Sequence, residues 1–166
     1  MQQLDSSTTT EDWERVDLYA GAGETFYLHV TGTNSAIDFR LTNLVAFDGA
    51  ALWIHGTAGA DSFTFEAGPS QIVTVNGVMY DFDFGNITSF HFDGSSGIDT
   101  ITLTGTAGDE TAMIAVGQVE LTGTGYAAVG IGIEQITVEG GGGFDIAKFY
   151  DSAGDDFYRA WDFQAV

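Results

Sequence analysis

Three fifteen-residue stretches of this chain align without a gap: ALWIHGTAGADSFTF (51–65), TITLTGTAGDETAMI (100–114) and IAKFYDSAGDDFYRA (146–160). GTAG occurs in the first two and DSAG in the third, at offsets of 49 and 46 residues. The segments between them also correspond, VTVNGVMYDFDFGNITSFHFDG (73–94) with VELTGTGYAAVGIGIEQITVEG (119–140). VDLYAGAGETFYL (16–28) is a fainter copy. A supersecondary unit of this length cannot bury its apolar face alone and must stack on its neighbours. The recurrence therefore confines the chain to a solenoid, a propeller or an array.

Within the copies, apolar residues alternate with polar ones at period two, as in DSFTF, IVTV, DTITLT and EQITVEG. Val, Ile, Thr, Phe and Tyr fill these runs, and Gly, Asn and Asp separate them, so they read as short strands joined by tight turns. Helix signals are nearly absent. A propeller blade needs tight antiparallel hairpins, and the sequence holds a single Asn-Gly hairpin signal, Asn76-Gly77. The expectation is an all-β fold, a parallel β-solenoid (β-helix) of repeats of about 46 residues, with a β-sandwich as the alternative. The chain then divides into a flexible N-terminal segment (1–15), a degenerate first repeat or β cap (16–50), two repeats (51–99 and 100–145) and a partial final repeat (146–166). The final copy stops before its hairpin, as an excerpt of a longer array, a natural cap or an end completed by a neighbouring chain would.

Charge limits the partners. Four Lys and Arg stand against 24 Asp and Glu, a formal net charge of -20. Such a surface repels nucleic-acid phosphate and anionic lipid, so no nucleic-acid partner is expected. It attracts cations, or it keeps the chain soluble in salty water, where screening blunts self-repulsion. No run of 18 apolar residues is present, so no membrane span is expected. With no cysteine, disulfides and thiolate chemistry are absent.

NGV…Y, GTAGADSFTF, DGSSGIDTITLTGTAGDETA, ITVEGGGG and FYDSAGDD, in that order over roughly residues 47–160, resemble the repeats of large secreted or cell-surface bacterial β-solenoid proteins of the planctomycete type. That resemblance implies an extracellular or cell-surface location and a role in adhesion or surface structure. GGGGFDIAK (140–148) and GSSGIDTIT (94–102) also resemble the calcium-binding RTX (hemolysin-type) nonapeptide G-G-x-G-x-D-x-U-x, where U is a large apolar residue. The first departs from it at Ala147 and the second at Ser95, and the copies are not in tandem.

The acids at the glycine corners are the candidate ligands. Stacking the aligned copies puts Asp61, Glu110 and Asp156 in one column, Asp109 and Asp155 in a second, and Asp99 and Asp145 in a third. Like charges about 4.8 Å apart repel by about 1 kcal/mol in water and several-fold more when poorly solvated. Calcium, a hard cation taking carboxylate and carbonyl oxygens, would relieve this at Asp99, Asp109, Glu110, Asp145, Asp155 and Asp156. The alternative is turn chemistry alone, with exposed aspartates beside glycines of positive φ, Gly97 and Gly143 among them.

No catalytic residues are assigned. His29, His55 and His91 each sit in a β-rich run, and the nucleophile-elbow pattern G-x-S-x-G is missing. Trp13, Trp53 and Trp161 lie near sequence ends or corners, open to a sugar or partner contact. The sequence thus points to a non-enzymatic extracellular structural or adhesive module, a fibre or surface-layer subunit, with calcium as the candidate cofactor. End-to-end self-association through uncapped edges and a glycan or cell-surface partner are the expected interactions. The other readings are a carbohydrate- or calcium-binding module and a polysaccharide-active β-helix enzyme.

Overall fold

The computed structural model describes residues 23–31, 33, 44–80 and 86–154. The chain divides into two compact units, Met1–Leu41 and Thr42–Val166. The described residues of the first contain no strand, and the segment 1–15 lies outside the described residues. All described strands belong to the second unit: β1 (Val45–Asp48), β2 (Ala51–His55), β3 (Ser62–Glu66), β4 (Ile72–Val75), β5 (Val78–Tyr80), β6 (Ser89–Asp93), β7 (Thr100–Thr104), β8 (Thr111–Ala115), β9 (Gln118–Gly123), β10 (Tyr126–Ile131), β11 (Gln135–Glu139) and β12 (Ile146–Phe149). No helix occurs among the described residues, and the fold is all-β.

Period-two alternation sets which side chains enter the core. On β3, Phe63 and Phe65 are buried while Ser62 and Glu66 are exposed; on β6, Phe90 and Phe92 are buried. These two strands belong to different sheets. Their rings meet across the interior, Phe65 with Phe90 at 4.6 Å between centroids and Phe63 edge-on to Phe92 at 5.8 Å. Leu52, Ile54, Ile101, Leu103, Leu121 and Ile133 complete the core around them.

Sheet 1 has the order β1-β2-β6-β10-β9-β8-β12 and sheet 2 the order β11-β7-β3-β4-β5. Parallel pairing builds the centre of each. Ala51 pairs with Ser89 and Ser89 with Ala127, so strands β2, β6 and β10 stack at 38-residue intervals. In sheet 2, Ser62 pairs with Thr100 and Thr100 with Gln135, steps of 38 and 35 residues. A further parallel pair sets Ile146 of β12 beside Thr111 of β8. Antiparallel hairpins make up the rest, β1-β2, β3-β4-β5 and β8-β9-β10.

Both sheets are therefore mixed, and a purely parallel solenoid is not shown among the described residues. Hairpins are the reason. β9 occupies the edge of β10 on which a further parallel strand of sheet 1 would have paired. Two sheets whose inner faces interlock are closer to the sandwich alternative. The aligned sequence copies also fall on opposite sheets: 51–65 runs from β2 in sheet 1 to β3 in sheet 2, whereas 100–114 runs from β7 in sheet 2 to β8 in sheet 1. Stacked neighbours thus recur at 35 and 38 residues, not at the 46 and 49 of the sequence copies.

The Asn76-Gly77 signal forms the β4–β5 turn, with φ of 51° and 81°. Positive φ at both central residues gives the twist a two-residue hairpin requires.

Candidate functional site

Six-residue corners carry the chain between the sheets, and they hold the candidate ligands. Residues 56–61 link β2 to β3, 94–99 link β6 to β7, 105–110 link β7 to β8 and 140–145 link β11 to β12. Each begins with glycine and ends with an acid five positions on: Gly56 and Asp61, Gly94 and Asp99, Gly105 and Glu110, Gly140 and Asp145. The two ends are coupled sterically. A Cβ on Gly94 would strike the carbonyl oxygen of Gly132 in the adjoining corner and would lie 2.7 Å from Asp99 Oδ2. Hydrogen at that position lets the neighbouring backbone and the corner's own carboxylate close on the same point. As expected, Gly97 and Gly143 have positive φ, 140° and 93°.

Asp99, Glu134 and Asp145 each accept a backbone hydrogen bond from the acid of the preceding layer. Asp61 N–H donates to Asp99 Oδ1 at 2.7 Å, Asp99 N–H to Glu134 Oε2 at 2.8 Å, and Glu110 N–H to Asp145 Oδ1 at 2.9 Å. The backbone carbonyls continue the ladder. Asp61 O accepts from Thr100 N–H, Asp99 O from Gln135 N–H and Glu110 O from Ile146 N–H, at 2.9, 3.0 and 2.9 Å. Where the chain turns out of the sheet, a side-chain oxygen replaces the carbonyl that a straight strand would have supplied.

Threonine supplies further donors within two of the corners. Thr57 N–H reaches Asp61 Oδ2 at 2.6 Å, and Thr106 donates its hydroxyl to Glu110 Oε1 at 2.6 Å and its N–H to the same oxygen at 3.2 Å. At the first layer Asn76 closes the stack, giving its side-chain amide to Asp61 Oδ1 at 2.6 Å and accepting from Ser62 N–H at 2.8 Å. Asp61, Asp99 and Glu110 are buried, whereas Glu134 and Asp145, on the last described layer, are exposed.

Tyr126 of β10 also serves Glu110, donating its hydroxyl to Oε1 at 3.3 Å. Burial, then the charge of Glu110 and this hydrogen bond, then the charge of Asp145, hold the phenol well above its usual range. Tyr126 is therefore a fixed donor at neutral pH.

The structure brings together different acids from those the sequence alignment stacked. One column is Asp61, Asp99 and Glu134; the other is Glu110 and Asp145. Asp61 does not share a column with Glu110, nor Asp99 with Asp145, because the two GTAG corners belong to separate stacks. Asp109 stands outside both columns on the exposed surface, accepting Phe144 N–H at 2.8 Å. Asp155 and Asp156 lie outside the described residues. Glu134 was missed because its corner is shorter, yet IDTIT (98–102) and IEQIT (133–137) share I-[Asp/Glu]-x-I-T and announce the 35-residue step. Nothing in the sequence around Tyr126 marks it as a partner of Glu110.

A cation in these corners would need several oxygens around one point. Among the described residues no group of three or more His, Asp or Glu side chains gathers in that way. Asp99 Oδ2 and Glu110 Oε2 are buried without a hydrogen-bond partner. Each faces the Cα of its own corner glycine, with Glu110 Oε2 3.0 Å from the Cβ position of Gly105. Among the described residues, amide donors stand against the acids' mutual repulsion.

Two outcomes are expected. Asp99→Ala leaves the buried Asp61 N–H unpaired and should lower unfolding free energy by about 1–3 kcal/mol; Asp109→Ala, on the surface, should change it by less than about 0.5 kcal/mol, both read from urea denaturation. Tyr126 binds its proton more tightly folded than unfolded, so its contribution is complete below the ordinary phenol value of 10.0 and is lost as pH rises above it. Melting temperature should thus fall more steeply between about pH 9 and about pH 11 in the wild type than in Tyr126→Phe. No protein-family model, curated protein or solved structure matches this chain.

Proposed function

We propose that this chain is a non-enzymatic structural or adhesive module of an extracellular or cell-surface protein, a solenoid-like stack that serves as a rigid spacer or fibre unit. The observation that carries the reading is the carboxylate–amide ladder. Asp61, Asp99 and Glu110 are buried and engaged by backbone N–H groups. Acids held in this way stiffen a corner. The resemblance of the repeats to those of large bacterial surface proteins favours the same role, as does a charge of -20, which keeps a long acidic array soluble in salt.

Self-association belongs to this reading. β11 and β12 are the last strands at one end of sheets 2 and 1 among the described residues. Phe144, Ile146, Phe149 and Tyr150 are exposed there, and an exposed strand edge with apolar side chains favours pairing with another chain. Mutual repulsion of two acidic chains opposes contact at low salt. Sedimentation velocity should therefore show oligomers that grow with protein concentration and with salt, and Ile146→Lys should reduce them. A monomer under every condition would remove the fibre role.

In this reading the exposed acids Asp109 and Asp145 are the candidate calcium ligands. Thermal unfolding at fixed ionic strength in calcium, magnesium or chelator tests it. A calcium-specific rise in melting temperature supports a cofactor role; coincident curves leave the corners to hydrogen bonding alone.

A further inference from the structure

The outer face of sheet 1 carries an arrangement that the ladder does not use. β2 directs Leu52 and Ile54 inward, so Trp53 and His55 face outward; β6 directs Phe90 and Phe92 inward, so Ser89, His91 and Asp93 face outward. Parallel pairing places Trp53 beside His91 and His55 beside Asp93. The indole stacks on the His91 ring at 4.2 Å between centroids and 14° between planes, and the His55 ring lies 6.5 Å away at 12°. Three rings thus stand in nearly parallel planes. His91 is pinned by a 2.7 Å hydrogen bond between its Nε2 and Ser89 Oγ, and His55 Nδ1 lies 3.9 Å from Asp93 Oδ2.

Among the described residues, parallel pairing sets His91 on one side of the indole. On its other side the residue directly across on β1 is Ala46, whose methyl group is too short to cover an indole, and Trp53 remains 38% exposed. A rigid aromatic face beside imidazole and carboxylate hydrogen-bonding groups suits a ligand with an apolar face and a polar rim. A pyranose ring has both: its axial C–H groups pack on the indole face, whose negative quadrupole attracts them, and its hydroxyls reach the neighbouring polar atoms. Charge narrows the class, since a chain of net charge -20 repels uronic and sulfated sugars.

We propose that Trp53, with His55, His91 and Asp93, forms a stacking subsite for a neutral sugar ring on the outer face of sheet 1. The proposal rests on the adhesive half of the reading above and can fail separately from it, because sedimentation and chelation do not involve Trp53. Calorimetric titration of the whole chain with the hexasaccharides of β-linked glucose, xylose, mannose and N-acetylglucosamine tests it, with an alginate oligosaccharide as the anionic control. At least one neutral probe should bind with a Kd below about 1 mM, alginate should not, and the indole N–H resonance that disappears in Trp53→Phe should shift on binding. Trp53→Ala should weaken binding at least about tenfold, and Trp53→Phe, which keeps a ring, should weaken it less. Absence of binding by all four neutral probes, or binding that Trp53→Ala leaves unchanged, would overturn the proposal. A lowered melting temperature in Trp53→Ala without any saccharide binding would assign the stack to holding β2 against β6.

Discussion

The fold depends on one recurring exchange: the carboxylate of a corner acid accepts the backbone N–H of the acid one layer before it. Parallel strands satisfy one another along their length, but a chain turning from one sheet to the other leaves that pattern, and the amides there would be buried without partners. An unmade hydrogen bond at a buried amide costs about 1–3 kcal/mol, and several such losses would consume much of the stability of a domain this size. Asp99 and Asp145 each meet this need with one oxygen. The acidity of the chain is in this sense partly structural.

Glycine at the start of each corner follows from the same exchange. The carboxylate must fold back over the first residue of its own corner to reach the neighbouring layer, and Gly56 leaves the room: a Cβ there would sit 2.9 Å from Asp61 Oδ2 and 2.6 Å from Gly94 O. Sequence spacing, steric fit and hydrogen bonding thus express one requirement. The same requirement explains how GTAG can serve two corners in separate stacks. What such a corner needs is local, a glycine, a threonine donor and an acid, and it is indifferent to which sheet the chain is leaving.

That indifference also explains how the sequence was read correctly in part and misread in part. Strand content, the hairpin at Asn76-Gly77 and the positive φ of Gly97 were legible, because alternation and turn chemistry are local. The layer assignment was not. Aligning the strongest similarity superimposed corners by their chemistry, whereas neighbours in space are set by when the chain returns to the same sheet, which the β8–β9–β10 hairpins decide. The I-[Asp/Glu]-x-I-T echo at 98–102 and 133–137 held the true interval, but it was weaker than GTAG. Contacts such as Tyr126 with Glu110 depend on two strands meeting in space and have no signature along the chain.

The corners are not equally well supplied, and the difference shows where the stack is weakest. Asp61 and Glu110 each accept from a threonine four residues earlier, and Glu110 also from Tyr126. The corresponding residue before Asp99 is Ser95, whose φ of 69° turns its amide towards Asp93 Oδ1, 2.9 Å away. Asp99 is the most enclosed of the three acids, with no exposed surface, and like Glu110 it keeps one oxygen without a partner. A left-handed serine is uncommon and costs free energy of its own. Two unfavourable features therefore coincide in the middle layer, where Glu134 above and Asp61 below clamp the corner from both sides. The middle layer can hold them because its neighbours fix it; the same corner at an end of the stack would lack one of the two clamps.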